Sequence, residues 1–326
     1  MDNKEVPIKN QIKKTVMLTD ICSSEHYCKS GQYERILKNI TFNVLTGESV
    51  GIAAKEMNEA KLLLEIIANV RPYYSGKCVL DEKGMMQKKR LILPHLFYID
   101  TPNMLYDNMI VLEFLMFAST HSLESPAEKQ RKYLKMLVEF GLENIALSRI
   151  SLLSDTDKLI IELLVAAHSD STLVIFNVLE YEFSNNQVQT IKKICSLINA
   201  KGSIIIGTNE PKIIGVCCDK VAYILDGTIK FYGTVDDLCS EWDKVLYLIS
   251  DMHPEEVADK LRAACGNYTY VTNGKNVLVY NYSGSNLAHS EFLGILFDNG
   301  ILPDNIKLNK GRVENSFEEL NKQNGL

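Results

Sequence analysis

The chain has 326 residues, of which 46% are apolar and 23% are charged, and its formal net charge is −6. This balance is typical of a globular protein, and the length suits one large domain plus a small one. The negative charge gives no support for a nucleic-acid-binding face, which is usually basic, and no run of about 18 apolar residues predicts a membrane span.

The predicted elements begin after a polar tail, residues 1–14, which mixes charges and predicts no secretory signal. Apolar residues that are continuous or alternate over short runs predict strands. These strands are Thr15–Thr19, Ile36–Val44, Ser49–Ala53, Lys77–Leu80 and Leu96–Ile99. A helix is predicted at Asn58–Val70, directly after the third strand.

The middle of the chain is predominantly helical. Helical spacing predicts Ile110–Ser119, Pro126–Phe140 and Asp155–His168. Two β-branched runs without alternation then predict strands buried on both faces of a parallel sheet. These are Thr172–Phe176 and Ser203–Ile206, joined by a helix at Asn186–Asn199, and they are followed by a hairpin, Val221–Leu225 and Thr228–Tyr232.

The pattern changes after Leu238. The order strand, helix, strand, strand, helix, strand is the split arrangement of ferredoxin-like domains. The predicted bounds are Lys244–Ile249, Pro254–Ala264, Tyr268–Val271, Asn276–Tyr280, Ser290–Asn299 and Ile306–Leu308, with a last helix at Ser316–Asn324. The sequence therefore predicts domains at 15–240 and 241–326, with a helical subdomain at about 105–168.

The segment from Gly51 to Ala68 has the strand–loop–helix context of a phosphate-binding loop. Such a loop needs glycines that let backbone N–H groups converge on the phosphates, a lysine, and a hydroxyl for Mg²⁺. No glycine follows Gly51 in the turn, and Glu56 and Glu59 place negative charge where phosphate would lie. We interpret this as a nucleotide-binding scaffold whose chemistry has been removed.

The order of these segments resembles the nucleotide-binding subunit of an ATP-binding-cassette transporter, over roughly residues 15–321. The resemblance implies an α/β fold: a P-loop NTPase-like domain with a mixed sheet, an antiparallel β layer and a helical subdomain, plus a C-terminal ferredoxin-like α+β appendage. The segments that carry the resemblance are Ile36–Val44, Gly47–Gly51, Tyr74–Leu80 and Cys218–Gly233. The ending Val313–Leu320 is similar to exporters of the bacitracin- and lantibiotic-resistance group.

The resemblance places non-functional residues at the catalytic positions, so no catalytic residue is predicted. Ala60 aligns with the Walker A lysine, Asn177 and Val178 with the Walker B aspartate and glutamate, and Asn209 with the switch histidine. Asparagine lacks the carboxylate that metal coordination favours, and valine cannot polarise water.

The remaining nucleotide-binding candidates also come from the resemblance. Tyr27 aligns with the base-stacking aromatic, Thr101 with the metal-sensing glutamine, and Ser154 with the signature serine, while Lys55 and Lys61 are the nearby cations. An ordinary loop tyrosine is the alternative for Tyr27. No cofactor is expected. Under the resemblance, ATP with Mg²⁺ would bind only weakly or with the help of a partner.

Ligand types for metals are scattered rather than grouped. The eight cysteines include no C-x-x-C pair, and the six histidines are dispersed. The sequence therefore predicts no metal site and reduced, mostly buried thiols.

The resemblance implies a catalytically inactive pseudo-ATPase in a membrane export or antimicrobial-peptide-resistance complex. Its partners would be a permease and a competent ATPase paralogue, without nucleic acid, at the inner face of the cell membrane in the cytoplasm. The permease-binding groove falls between Thr101 and Phe117, with Met104, Leu105, Tyr106, Met109 and Met116, for which the alternative is plain core packing.

Two other readings remain open from the sequence. In one, the chain is a soluble scaffold or regulatory protein that kept the fold without a nucleotide or membrane partner. In the other, it is an unusual nucleotide-binding enzyme that uses Lys55 or Lys61, which the absent carboxylates disfavour.

Overall fold

A computed structural model describes residues 14–27, 33–81, 83–84, 95–118, 124–240, 245–266, 268–280, 289–308 and 312–323. The chain divides into two compact units, the first ending at Val235 and the second beginning at Asp236. The predicted polar tail, residues 1–14, lies outside the described residues except for Lys14, at which the first strand begins.

The described strands and helices of the first unit follow the predicted order. The strands are β1 (Lys14–Cys22), β2 (Glu25–Tyr27), β3 (Tyr33–Arg35), β4 (Ile40–Leu45), β5 (Ser49–Ala54), β6 (Ser75–Leu80), β7 (Lys83–Gly84), β8 (Leu96–Ile99), β9 (Leu173–Asn177), β10 (Ser203–Gly207), β11 (Lys220–Leu225) and β12 (Thr228–Thr234). The helices are α1 (Met57–Ile67), α2 (Val111–Ala118), α3 (Pro126–Phe140), α4 (Asp155–His168), α5 (Asn185–Asn199) and α6 (Pro211–Cys217).

A six-stranded sheet in the order β12-β11-β5-β10-β9-β8 forms the centre of this unit. Its strands run parallel except for β12, which returns beside β11 as the predicted hairpin. All residues of β5, β9 and β10 are buried. Strands buried on both faces explain why their sequences lack alternation, and the predicted parallel sheet is confirmed.

An antiparallel layer in the order β4-β1-β6-β7 shares a hydrophobic core with α1. The predicted strand Ile36–Val44 is wrong at its start, because β4 begins at Ile40. Asn39 has a left-handed φ of 52°, and the backbone N–H of Leu37 donates to the Ser23 Oγ at 3.0 Å instead of entering a strand ladder.

Helices α3 and α4 begin and end where the sequence predicts. Ser125 caps α3 in a reciprocal capping box with Glu128, and Gly141 ends it with a left-handed φ of 73°. Helix α1 is shorter than predicted, ending at Ile67 rather than Val70, because Asn69 adopts a left-handed φ of 58°.

The second unit has the ferredoxin-like arrangement. Helix α7 (Val235–Cys239) begins at the last residue of the first unit. It is followed by β13 (Val245–Ser250), α8 (Pro254–Ala264), β14 (Thr269–Asn273), β15 (Asn276–Tyr280), α9 (His289–Asp298), β16 (Asn305–Leu308) and α10 (Arg312–Gln323). The sheet order is β14-β15-β13-β16, with antiparallel neighbours.

The core of this second unit is formed by one face of the sheet and its helices. It includes the stacked rings of Tyr247 and Phe292, whose centroids lie 4.2 Å apart, together with Leu261 and Leu296. The sequence patterns missed the short hairpin β2–β3 and the helix α6, whose lengths of three and seven residues give little periodicity to read.

Candidate functional site

The turn after β5 is short. Only Lys55 and Glu56 separate β5 from α1, which begins at Met57, three residues before Ala60. Ala60 is fully buried on α1, while Lys55 is exposed. Extending the helix into the turn removes the open loop in which successive N–H groups would converge on an anion.

Two backbone donors of this turn bond within the protein. The N–H of Ala54 donates to the Asn209 Oδ1 at 3.0 Å, and the N–H of Lys55 donates to the Ile224 carbonyl at 3.1 Å. Asn209, at the position of the switch histidine, thus closes the end of β5. Both of these donors are therefore engaged within the protein, whereas the Glu56 side chain does not cap the N-terminus of α1.

Glu59 ties the start of α1 to the tip of the β11–β12 hairpin. Its Oε1 accepts from the backbone N–H of Gly227 at 2.7 Å, and its Oε2 is buried without a hydrogen-bond partner. Burial raises the pKa of the Glu59 carboxyl, although the Gly227 bond opposes part of that rise. The sequence placed this carboxylate beside a phosphate site, whereas the structure buries it beneath the hairpin tip.

The residues at the end of β9 are likewise buried and hydrogen-bonded within the protein. Asn177 is 5% exposed, and its Nδ2 donates to the Tyr98 hydroxyl at 3.4 Å. Val178 is fully buried, and its N–H donates to the Gly207 carbonyl at 2.8 Å. An apolar side chain within the core has no means of activating water.

A small open cleft lies beside these residues, with a volume of about 250 Å³ that includes its mouth. The structure thereby brings together three candidate positions, Lys61, Thr101 and Asn177. The full lining is Lys61, Asp100, Thr101, Asn177, Leu179, Glu180 and Tyr181.

The charge of Lys61 is already paired with a carboxylate in this cleft. Its Nζ lies 3.0 Å from the Glu180 Oε1, and this hydrogen bond raises the pKa of Lys61. Thr101 donates to the Asp100 carboxylate at 3.2 Å. Because Asp100 and Glu180 both line the cleft, a polyphosphate entering it would meet two carboxylates for one lysine.

The second candidate anion site, the turn before α4, retains its shape but not its charge. Ser154 caps the helix: its Oγ accepts from the N–H of Asp157 at 3.1 Å and donates to the Asp157 Oδ2 at 2.7 Å. Gln187 holds the other oxygen of Asp157 at 2.8 Å. Asp155 and Asp157 complement the helix dipole themselves, leaving no field for a γ-phosphate.

Glu162 is a residue that the sequence reasoning missed. It lies on α4 at 1% exposure, and its Oε1 accepts from the backbone N–H of Met104 at 2.8 Å. Burial raises its pKa to about 7. The signal was present, since Glu162 interrupts the otherwise apolar run Leu159–Leu164.

The proposed partner-binding residues divide into exposed and packed side chains. Met104 and Tyr106 are 40% and 55% exposed, while Leu105, Met109 and Met116 pack partly buried against the core. The Tyr106 ring lies 5.6 Å from the ring of Phe117, which is 49% exposed. The surface therefore presents Met104, Tyr106 and Phe117.

Some expectations lie beyond what the structure describes. The Tyr27 side chain falls outside the described part of the chain, although its backbone forms β2. Within the described ranges, no three potential ligand residues are grouped to hold a metal. None of the described helices has both the length and the apolar character needed to cross a membrane.

Comparison with solved structures identifies the fold. The ATP-binding subunit of an ABC transporter superposes with a TM-score of 0.56 at 20% identity, covering 70% of this chain and 93% of that chain. CbiO1 from Clostridium perfringens, described as part of the ABC transporter complex cbiONQ, gives 0.56 at 18%, covering 78% and 96%. The ATP-binding cassette MJ0796 bound to ADP and Pi gives 0.54 at 17%, covering 68% and 98%.

No family model matches the sequence, and no curated protein matches it. The structural likeness at this identity shows the fold alone. The chain therefore has the fold of an ATP-binding-cassette subunit, as the sequence resemblance implies.

Proposed function

We propose that this protein is a non-hydrolysing subunit of a membrane export complex, which uses the ATP-binding-cassette fold for assembly rather than for catalysis. The observation that carries this proposal is the closed turn after β5. Helix α1 begins only two residues after β5. The N–H groups of Ala54 and Lys55 donate to Asn209 and Ile224, and Glu59 accepts from the N–H of Gly227.

Side chains near the turn already have partners within the protein. Phosphoryl transfer is catalysed almost entirely by positioning and by electrostatic stabilisation from several shared groups. Here Lys61 is paired with Glu180, and the residue that the resemblance aligns with the Walker B aspartate is an amide bonded to Tyr98. Lys55 is an exposed cation in the turn, but without a metal-binding carboxylate we expect no ATP hydrolysis.

The turn before α4 limits what this chain offers a partner ATPase. In the family it resembles, each nucleotide lies between one subunit's phosphate loop and the other's signature turn. Asp155 and Asp157 would repel the partner's nucleotide by roughly 1 kcal/mol or more each at surface-like dielectric. Either the competent subunit hydrolyses without this turn, or the pair does not close tightly.

The assembly surface is the side of the helical region that presents Met104, Tyr106 and Phe117. CbiO1, which shares the fold, is described as part of a transporter complex. By analogy, we assign this surface to the cytoplasmic segment of a permease and place the protein at the inner face of the membrane. The resemblance of Val313–Leu320 to resistance exporters supports a role in resistance to antimicrobial peptides.

Nucleotide chemistry is tested first by equilibrium binding of labelled ATP with Mg²⁺ and by steady-state phosphate release. We expect neither binding nor turnover by the chain alone. The Asn177→Ala variant serves as the control for contaminating ATPases, whose activity it would leave unchanged. Turnover that is abolished by Asn177→Ala would overturn the proposal.

Assembly is tested by the distribution of the full chain between membrane and soluble fractions of its own cells. We expect the triple variant Met104→Ser, Tyr106→Ser, Phe117→Ser to leave the membrane fraction. A matched control, Leu134→Ser with Val138→Ser, changes two side chains of α3 that are 36% and 62% exposed. It should not alter the distribution.

Two results would favour the scaffold function instead. One is a wild-type chain that is absent from the membrane fraction, and the other is a triple variant that distributes as the wild type does. Either result would leave the fold intact and remove the permease from the proposal.

A further inference from the structure

The second unit has an apolar pole formed by Met252, Phe297 and Leu302. These side chains are 76%, 67% and 75% exposed, and Val271 at 43% is the one other exposed large apolar side chain described in this unit. Single exposed apolar residues need no explanation, but several in one place mark an interaction surface.

Strand register places the three residues at the same end of the unit. Ser250 at the end of β13 pairs with Asn305 at the start of β16. Met252 lies two positions after Ser250, and Leu302 lies three positions before Asn305. Phe297 lies in the last turn of α9, and the chain after it forms the loop that contains Leu302 and leads to β16. The N–H of Gly300, in this loop, donates to the Phe297 carbonyl at 3.0 Å.

Carboxylates surround this apolar pole. The loops and helix ends at this end of the unit carry five acids against two lysines, Lys275 and Lys260, and Lys260 is paired with Glu256 at 2.8 Å. Lys275 belongs here because its carbonyl accepts from the N–H of Asp251 at 3.0 Å. The acids are Asp251, Glu255, Glu256, Asp298 and Asp304.

An apolar centre with an acidic rim selects its partner by charge. We propose that the apolar pole binds a basic amphipathic helix of another protein, with Leu-like side chains on Met252, Phe297 and Leu302 and Lys or Arg against the rim. Complementary charge steers such a segment and fixes its orientation. An anionic lipid surface has the same sign as the rim and is repelled.

This surface is independent of the proposed transport function. It lies on the second unit and uses none of the residues of the closed turn or of the helical surface. Failure of the nucleotide or membrane experiments therefore leaves it untouched, and its own failure leaves them untouched.

The test uses the full chain and a fluorescent amphipathic helical peptide of leucine and lysine, with anisotropy as the measurement. We expect saturable binding that weakens as salt screens the rim. The variant Met252→Ser, Phe297→Ser, Leu302→Ser should weaken it about tenfold or more. Replacing Asp298 and Asp304 by asparagine should weaken it less and flatten its salt dependence.

The controls define what would overturn the proposal. Leu134→Ser with Val138→Ser, on α3, should leave the affinity for the peptide unchanged. The proposal is wrong if the triple variant binds the peptide as tightly as the wild type, or if a leucine–glutamate peptide binds equally well. Preferential binding to vesicles of phosphatidylglycerol and phosphatidylcholine would replace the protein partner with a membrane surface.

Discussion

The turn after β5 and the turn before α4 are the two places where the sequence resemblance puts phosphate contacts, and they are held in different ways. At the first, α1 begins two residues after β5, and Glu59 is buried against Gly227. At the second, Ser154 caps the helix, and Asp155 and Asp157 add negative charge to its first turn. On our proposal, restoring the first turn means rebuilding a loop, whereas restoring the second means removing carboxylates.

On this proposal, phosphate binding is lost through the backbone conformation at the first turn and through charge at the second. The first turn is held by contacts with the hairpin tip and the ends of neighbouring strands, so changes there should affect the stability of the whole unit. The second turn is held locally by Asp157 and Gln187. Substitutions at the two turns should therefore differ in size and in range.

The largest effect is expected at the hairpin tip on which the first turn rests. Gly227 has a φ of +76°, and a Cβ there would overlap the Ile36 carbonyl oxygen. Gly227→Ala should lower the free energy of unfolding by about 3 kcal/mol or more, measured by urea denaturation. Gly141→Ala is the control, since it has a φ of +73° and open space around it. It should cost about 1 kcal/mol. Equal losses would show that the hairpin tip is not sterically constrained.

The next effect concerns Glu162, on the helix that the second turn begins. Its folded-state pKa of about 7 lies above the usual value of 4.5. Its protonation therefore stabilises the fold at low pH, and that contribution is lost as pH rises through about 7. The wild type should lose about 1–3 kcal/mol of unfolding free energy between about pH 5 and pH 8, and Glu162→Gln should not show this loss. Urea denaturation across that range measures it, and a pH-independent difference would contradict the prediction.

A smaller, local effect is expected at the cap of the second turn. Ser154→Ala removes the acceptor for the Asp157 N–H and should cost about 1 kcal/mol of unfolding free energy. Ser125→Ala at the start of α3 removes a cap of the same kind and provides the comparison. A loss at Ser154 as large as that at Gly227 would contradict the view that the second turn is held locally.

The smallest effect is expected at Lys61, the cation of the cleft beside the first turn. The side chains of Lys61 and Glu180 are 43% and 59% exposed, so the ion pair between them is screened by solvent. Lys61→Met should change the free energy of unfolding by less than about 1 kcal/mol. It should also leave ATP binding absent, as measured by equilibrium dialysis. Binding by the wild type that Lys61→Met removes would reopen the reading of Lys61 as a nucleotide ligand.

The sequence alone determined the order of elements. Continuous β-branched runs predicted β9 and β10, and helical spacing predicted α3 and α4. The residue types at Ala60, Asn177 and Asn209 carry the prediction that these positions are non-functional. These features depend on local periodicity or on single residue types, which a sequence displays directly.

Tertiary structure alone decided where the altered residues are held. Glu59 bonds to Gly227, 168 positions away, and Asn209 bonds to Ala54, 155 positions away. Packing likewise buries the Glu162 Oε2 without a hydrogen-bond partner. Strand register places Met252, Phe297 and Leu302 at the same end of the second unit. Such contacts join distant segments, and a pattern that is read over neighbouring residues contains no information about which segments meet.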